Sequence, residues 1–212
     1  METSLILELQ KHAMDQGFNI LDLLSRAYVV ARKLRIDSFV DWIEKEQKGY
    51  SKETEVPPYR RIATYLHYRN PYNGWQPVVL QSKKEQLFYA SFPVTDSIPS
   101  ISDLLKSSGA FSCYLLSDDM NVKYSKSLRH IGDLGVVFQF ALYTPRNAMA
   151  NIIQQVRNKI LDWSLLLEEN GILGEGMSFS EKELANAKTN SIINYTINIY
   201  GNAENTQIQQ KG

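Results

Sequence analysis

Residues 136–171 read VVFQFALYTPRNAMANIIQQVRNKILDWSLLLEENG, and the spacing of apolar side chains changes within them. The run ending at Tyr143 is nearly all apolar, yet only about half as long as a bilayer-crossing helix and interrupted by Gln139. It therefore reads as a core strand over residues 136–143. Thr144-Pro145 then supplies a cap and a first-turn proline. Beyond it Met149, Ile152, Ile153, Val156, Ile160, Trp163 and Leu167 recur at three- and four-residue intervals as far as Gly171, the signature of one long amphipathic helix. A strand delivering the chain into such a helix predicts an α+β fold.

The N-terminal fifty residues carry the helical spacing alone. Leu5, Ile6, Leu9 and Ala13 form one stripe ending at Gly17, and Asn19 caps a second helix that buries Ile20, Leu24, Ala27, Ala31 and Leu34. Asp22 favours the first-turn amides of that helix. A third helix is predicted from Asp37, burying Phe39, Trp42 and Ile43 and stopping at Gly49. Residues 1–50 are thus expected to be a three-helix array.

Val56-Pro57-Pro58-Tyr59 breaks that pattern, because proline lacks a donor and restricts the residue before it. Downstream, β-branched and aromatic residues predict strands at 62–68, 75–80, 87–92, 111–116 and 136–143, a mixed or antiparallel sheet of about five strands packed with the long helix. Asn70-Pro71-Tyr72-Asn73-Gly74 reads as a turn, and a helix over residues 101–108 is expected from the Ser100 and Asp103 spacing, with Gly109 at its end. Ser180 and Glu183 have capping-box spacing before a short helix. Residues 56–190 would form this sheet-and-helix part. Residues 191–212 differ: Ile193, Tyr195, Ile197 and Ile199 alternate with polar residues, and after Gly201-Asn202 comes Gln207-Ile208-Gln209-Gln210, which reads as strand, turn and strand.

Lysine plus arginine and aspartate plus glutamate each total 23, so the chain has no overall field to draw it to nucleic acid or an anionic membrane. The one cysteine, Cys113, makes no intramolecular disulfide, and its apolar neighbours predict burial in a reducing cytosol. The N-terminus lacks a basic head followed by an unbroken apolar stretch, so a cytoplasmic location is expected.

The search for chemistry is thin. His12, His67 and His130 are far apart without zinc-ligand spacing, and surface or edge positions account for them. Asp118 and Asp119 follow a predicted strand, where paired carboxylates hold a divalent ion in many nucleases, although a solvated turn is the commoner setting. The glycines match no nucleotide-binding fingerprint, and no cofactor is expected. Basic residues thicken at Arg60, Arg61, Arg69, Lys83 and Lys84 and from Lys123 to Arg129, interleaved with Tyr59, Tyr65 and Tyr68, a mixture suited to phosphates and bases or to a protein surface.

Scattered segments resemble a known family. Leu5, Ile6 and Leu9, then Leu21, Leu24-Ser25-Arg26-Ala27, Ala31-Arg32-Lys33-Leu34, Trp42-Ile43, Gly49-Tyr50 and Val56-Pro57-Pro58-Tyr59-Arg60 resemble the opening of the AbiTii domain of bacterial abortive-infection proteins. Val156-Arg157-Asn158-Lys159-Ile160-Leu161-Asp162-Trp163, Leu167-Glu168, Gly171-Ile172, Gly174, Phe179 and Glu181-Lys182 resemble its close, so the likeness covers roughly residues 4–188. It implies membership of defence systems that halt phage multiplication at the cost of the infected cell, and it carries no catalytic residues over. The tail is similar to linkers found beside other domains in bacterial defence proteins.

The expectation is a sensor, adaptor or assembly subunit, not an enzyme. It would self-associate through the tail residues Ile193, Tyr195, Ile197, Ile199 and Ile208 and act with a separate effector or a phage-derived protein. The alternatives are a metal-dependent nuclease using Asp118 and Asp119, and a nucleic-acid sensor using Tyr59, Arg60, Arg61, Arg69, Lys83 and Lys84.

Overall fold

The computed structural model describes residues 4–51, 54–107, 109, 111–128 and 136–199. The fold is α+β, and the described residues divide into two compact units: those within 4–60, 95–104 and 151–199 form the first, and those within 61–94 and 105–150 the second.

The first unit opens with three helices, α1 Leu5–Met14, α2 Ile20–Leu34 and α3 Asp37–Lys48, at the places the apolar stripes predict. The Ser4 and Asn19 side chains accept hydrogen bonds from the Leu7 and Leu21 amides, so the orphan donors of both helix starts are met. In chain order helix α4, Lys83–Tyr89, and helix α5, Ile98–Lys106, come between α3 and the long helix, Arg146–Glu169. The helix expected over residues 101–108 begins earlier, at Ile98, because the Ser97 hydroxyl, not that of Ser100, accepts the Ser100 amide. From Asn151 onward the long helix belongs to the first unit, where Trp163 stacks on Phe39 at 3.9 Å with both rings fully buried. Arg157 donates to the carbonyls of His12, Asp15 and Phe18 and so closes the end of α1.

The deepest polar group of this unit is an ion pair. Glu46 and Arg60 are both fully buried, with Arg60 Nη2 2.5 Å from Glu46 Oε2 and Arg60 Nε 3.0 Å from Oε1. The Tyr50 and Tyr59 hydroxyls donate to the same Oε1, and Arg60 Nη1 donates to the Asp96 carbonyl. Gly49, at φ 92°, sits where a Cβ would come within 2.9 Å of the Thr95 carbonyl oxygen. Only glycine fits there without moving the backbone.

The second unit holds two antiparallel sheets. β1 Arg61–Ala63 pairs with β4 Ser91–Pro93; β2 Tyr65–Asn70, β3 Gly74–Pro77, β5 Phe111–Leu115 and β6 Phe140–Pro145 pair in the order β3-β2-β6-β5. One face of the larger sheet presents Leu66, Phe140 and Leu142 to Ala90 and to Tyr124 and Leu128 at the end of helix α6, Asp118–Ser127. Asn121 anchors α6 by accepting the Phe140 amide at 2.9 Å.

Several expectations need correction. Of residues 87–92 only Ser91 and Phe92 are in a strand, β4. Helix α4, Lys83–Tyr89, takes residues 87–89 because Ser82 accepts the Glu85 amide and Glu85 accepts the Gln81 amide, a cap pair that outweighs the aromatic content. The strand expected at 136–143 is β6, displaced to Phe140–Pro145, so Thr144 and Pro145 end a strand and the long helix, α7 Arg146–Glu169, starts after them. Residues 62–68 split into β1 and β2 at Thr64, whose amide and hydroxyl both bond to the Ala90 carbonyl.

Helix α8, Glu181–Asn186, has the expected capping box at Ser180 and Glu183. The tail up to residue 198 is helix α9, Asn190–Asn198, not a strand. Ile192 and Ile199 are buried and Tyr195 donates to the Lys159 carbonyl, so helical anchoring on neighbouring residues wins over the local alternation. Ile208 and His130 lie outside the described residues. Among the described residues no helix is long and apolar enough to cross a membrane.

Two stability predictions follow from these contacts. Replacing one member of a buried ion pair leaves the other charge unpaired, so Glu46→Gln or Arg60→Met should each cost about 3–5 kcal/mol in urea unfolding; a loss under about 1 kcal/mol would show the pair to be solvated. Glu183 gives a pH dependence. Burial pushes its carboxyl up, but the amides of Gly174, Ser180 and Leu173 and the Ser180 hydroxyl outweigh burial and hold the group at about 2 against an ordinary 4.5. A carboxyl depressed on folding contributes stability that is full above its unfolded value and lost as pH falls through the folded one. Glu183→Gln should thus be less stable than the wild type at neutral pH, with the difference shrinking between pH 4.5 and about 2; a difference constant across that window would refute the assignment.

Candidate recognition surface on the four-stranded sheet

Strand register decides which side chains meet. Tyr65 lies opposite Tyr143, and Tyr143 opposite Cys113. Arg69 lies opposite Trp75, His67 opposite Pro77, and Phe111 opposite Pro145. Because side chains alternate across a strand, Tyr65, His67, Arg69, Trp75, Phe111, Cys113, Leu115 and Tyr143 share the face opposite the Leu66 and Phe140 core.

Such a face in an antiparallel sheet ordinarily carries polar groups toward water. Here Tyr65, Phe111 and Leu115 are 55%, 51% and 60% exposed, so the aromatic surface is in contact with solvent. Tyr65 and Phe111 meet edge-on with ring centres 6.0 Å apart, Phe111 and Tyr143 at 6.5 Å, and Trp75 and Tyr143 at 6.3 Å. His67 packs on Tyr143 at 4.3 Å. Burial, and then the neighbouring Cys113 thiol, raises the Tyr143 hydroxyl above its ordinary range, so it stays a neutral donor. Among the described strand residues the register places no carboxylate on this face, and the exposed Arg69 supplies a guanidinium. A cleft of about 490 Å³ opens along it, lined by Tyr65, His67, Phe111, Tyr143 and Gln86, within the size range of ligand sites.

The other sequence candidates fall elsewhere. Tyr59 and Arg60 are tied into the Glu46 network and present no basic surface; burial first, then Glu46, raises the Tyr59 hydroxyl well above its ordinary value. Arg61, Lys83 and Lys84 are exposed, at the start of β1 and in the first turn of α4. Asp118 and Asp119 are exposed in the first turn of α6, where carboxylates suit the helix dipole. His12 stacks on Phe18 at 4.1 Å, and burial, then the Arg26 charge, lowers its pKa. Among the described residues no three His, Cys, Asp or Glu side chains gather as a metal site.

Of the tail set, Ile193 is exposed, while Tyr195 and Ile199 are held against the first unit. Cys113 is exposed, contrary to the expected burial, because the odd-numbered residues of β5 lie on the sheet face opposite the core. Sequence reasoning named Tyr65 and Arg69 but missed Trp75, Phe111 and Tyr143. The signal was the period-two run Phe111, Cys113, Leu115, read as core because an apolar alternation does not say which face is covered.

The family model of AbiTii matches residues 4–192 of the chain. No curated protein and no solved structure gives a match.

The outward orientation of the odd-numbered β5 residues is open to a direct check: Cys113 should react completely with a maleimide in the native protein, and Phe111→Ser should change stability by no more than about 0.5 kcal/mol. A thiol that reacts only after unfolding would place β5 inside.

Proposed function

The chain belongs to the AbiTii family, an abortive-infection domain, and from that premise we propose that it acts as the recognition module of an anti-phage defence system. The solvent-facing aromatic sheet face carries this reading. Exposed large apolar patches on a stable surface mark interaction sites, since water contact with aromatic rings is otherwise selected against. In this reading the face meets the infection signal in the bacterial cytoplasm, and a separate effector, of the host or derived from the phage, carries the toxic step.

The buried anchors of α9 argue for a tail that completes the first unit as far as residue 199, and the recognition role is accordingly assigned to the sheet. Its test is a plaque assay in cells expressing the wild type or a Tyr65→Ser, Phe111→Ser double variant of unchanged circular dichroism. Plaque numbers should rise to those of unprotected cells with the variant. Full protection by a folded variant would overturn the reading.

A further inference from the structure

We infer that the exposed sheet face binds single-stranded nucleic acid, with bases stacked on Tyr65, Phe111 and Tyr143 and a phosphate held by Arg69. This rests on the recognition role assigned to that face. Every base has an apolar π-face, and aromatic side chains on a sheet stack unpaired bases with little sequence preference. Phe111 and Tyr143 sit on the adjacent strands β5 and β6 and Tyr65 one strand further, on β2, with ring centres 6.0 Å apart for Tyr65 and Phe111 and 6.5 Å for Phe111 and Tyr143, and planes inclined at 80° and 65°. Rings so inclined cannot be covered by one continuous stack of bases about 3.4 Å apart, so a chain lying over them has its bases splayed, one to a ring. A duplex keeps its base faces inside the stack and has nothing to offer exposed rings.

Charge selects among the other occupants. Among the described strand residues the face carries Arg69 and no carboxylate, which complements a polyanion. A second copy of the chain laid face to face would bring no carboxylate of this face to Arg69, whereas a polynucleotide brings it a phosphate. The cleft at the Tyr65 end adds an amide, Gln86, beside the rings. The chain's formal net charge of zero gives no long-range attraction, so binding depends on contact and its salt dependence is shallow.

The experiment is fluorescence anisotropy of the full chain with labelled uridine RNA and thymidine DNA of about twelve nucleotides, a length within the range such folds cover. Dissociation constants of roughly 1–100 µM are expected, with a slope of log affinity against log salt near −0.7 for one phosphate contact. Phe111→Ala and Tyr65→Ala should each weaken binding about tenfold. Leu7→Ala, at an exposed position of α1 in the first unit and outside the sheet, should leave it unchanged. Arg69→Gln should remove the salt dependence. Binding of RNA, DNA or both with this pattern supports the inference, the two arms telling which polymer is preferred. No binding of either, or binding that the ring variants leave untouched, overturns it. If the face is needed for protection in the plaque assay yet neither strand binds, this inference fails while the recognition role stands; light scattering that shows the ring variants dispersing a dimer would then assign the face to a second copy.

Discussion

Arg60 brings a guanidinium into a site from which water is excluded, and the first unit is arranged around meeting that demand. A lone buried charge is prohibitively costly, so the carboxylate of Glu46 on α3 has to be in place. One carboxylate cannot satisfy a five-donor fork alone, and the Asp96 carbonyl takes another of its N–H groups. Glu46 has lone pairs left over, which the Tyr50 and Tyr59 hydroxyls fill, and Trp42 donates its ring N–H to the Tyr59 oxygen. Helix α3, the segment after it and the return of the chain at residue 96 are thereby fixed by a single set of donors and acceptors. Gly49 belongs to the same constraint, since the close approach to Thr95 brings that returning segment alongside.

The network also determines what is available for function. Arg60 and Tyr59 look in the sequence like part of a basic, aromatic surface that continues through Arg61 and Arg69, but two of the four are consumed internally. What remains outside is a face whose content is aromatic first and cationic second. Two opposite uses of the same residue types, one desolvated and saturated with partners, the other open to water, separate structure from function here more cleanly than residue identity does.

Legibility in the sequence followed burial and length. The three N-terminal helices and α7 were readable because each has a long stripe with a single partner environment, and the capping box of α8 because a cap is a local bond. Short elements were not. Residues 87–92 contain Leu87, Phe88 and Tyr89, which suit a strand or a helix, and the Ser82 cap lies outside the window that looks like a strand. Ile193 to Ile199 alternates perfectly, yet residues 190–198 are helical, with Ile192 buried on the helix and Ile199 buried just after it. The candidate site was legible only in fragments: Tyr65 and Arg69 from composition, but Trp75, Phe111 and Tyr143 only once register brought three separated strands side by side.

Neutrality of the whole chain bears on how such a face would serve a defence that ends in cell death. A strongly basic surface binds any nucleic acid it meets, and a cell contains a great deal of it. A face that relies on stacking and one arginine has low affinity for a single strand and no steering field to concentrate it. Weak single contacts become decisive only when several act together, because linked sites multiply their effects through local concentration. Were several such faces held together, their weak contacts would multiply in this way without any one of them becoming strongly basic.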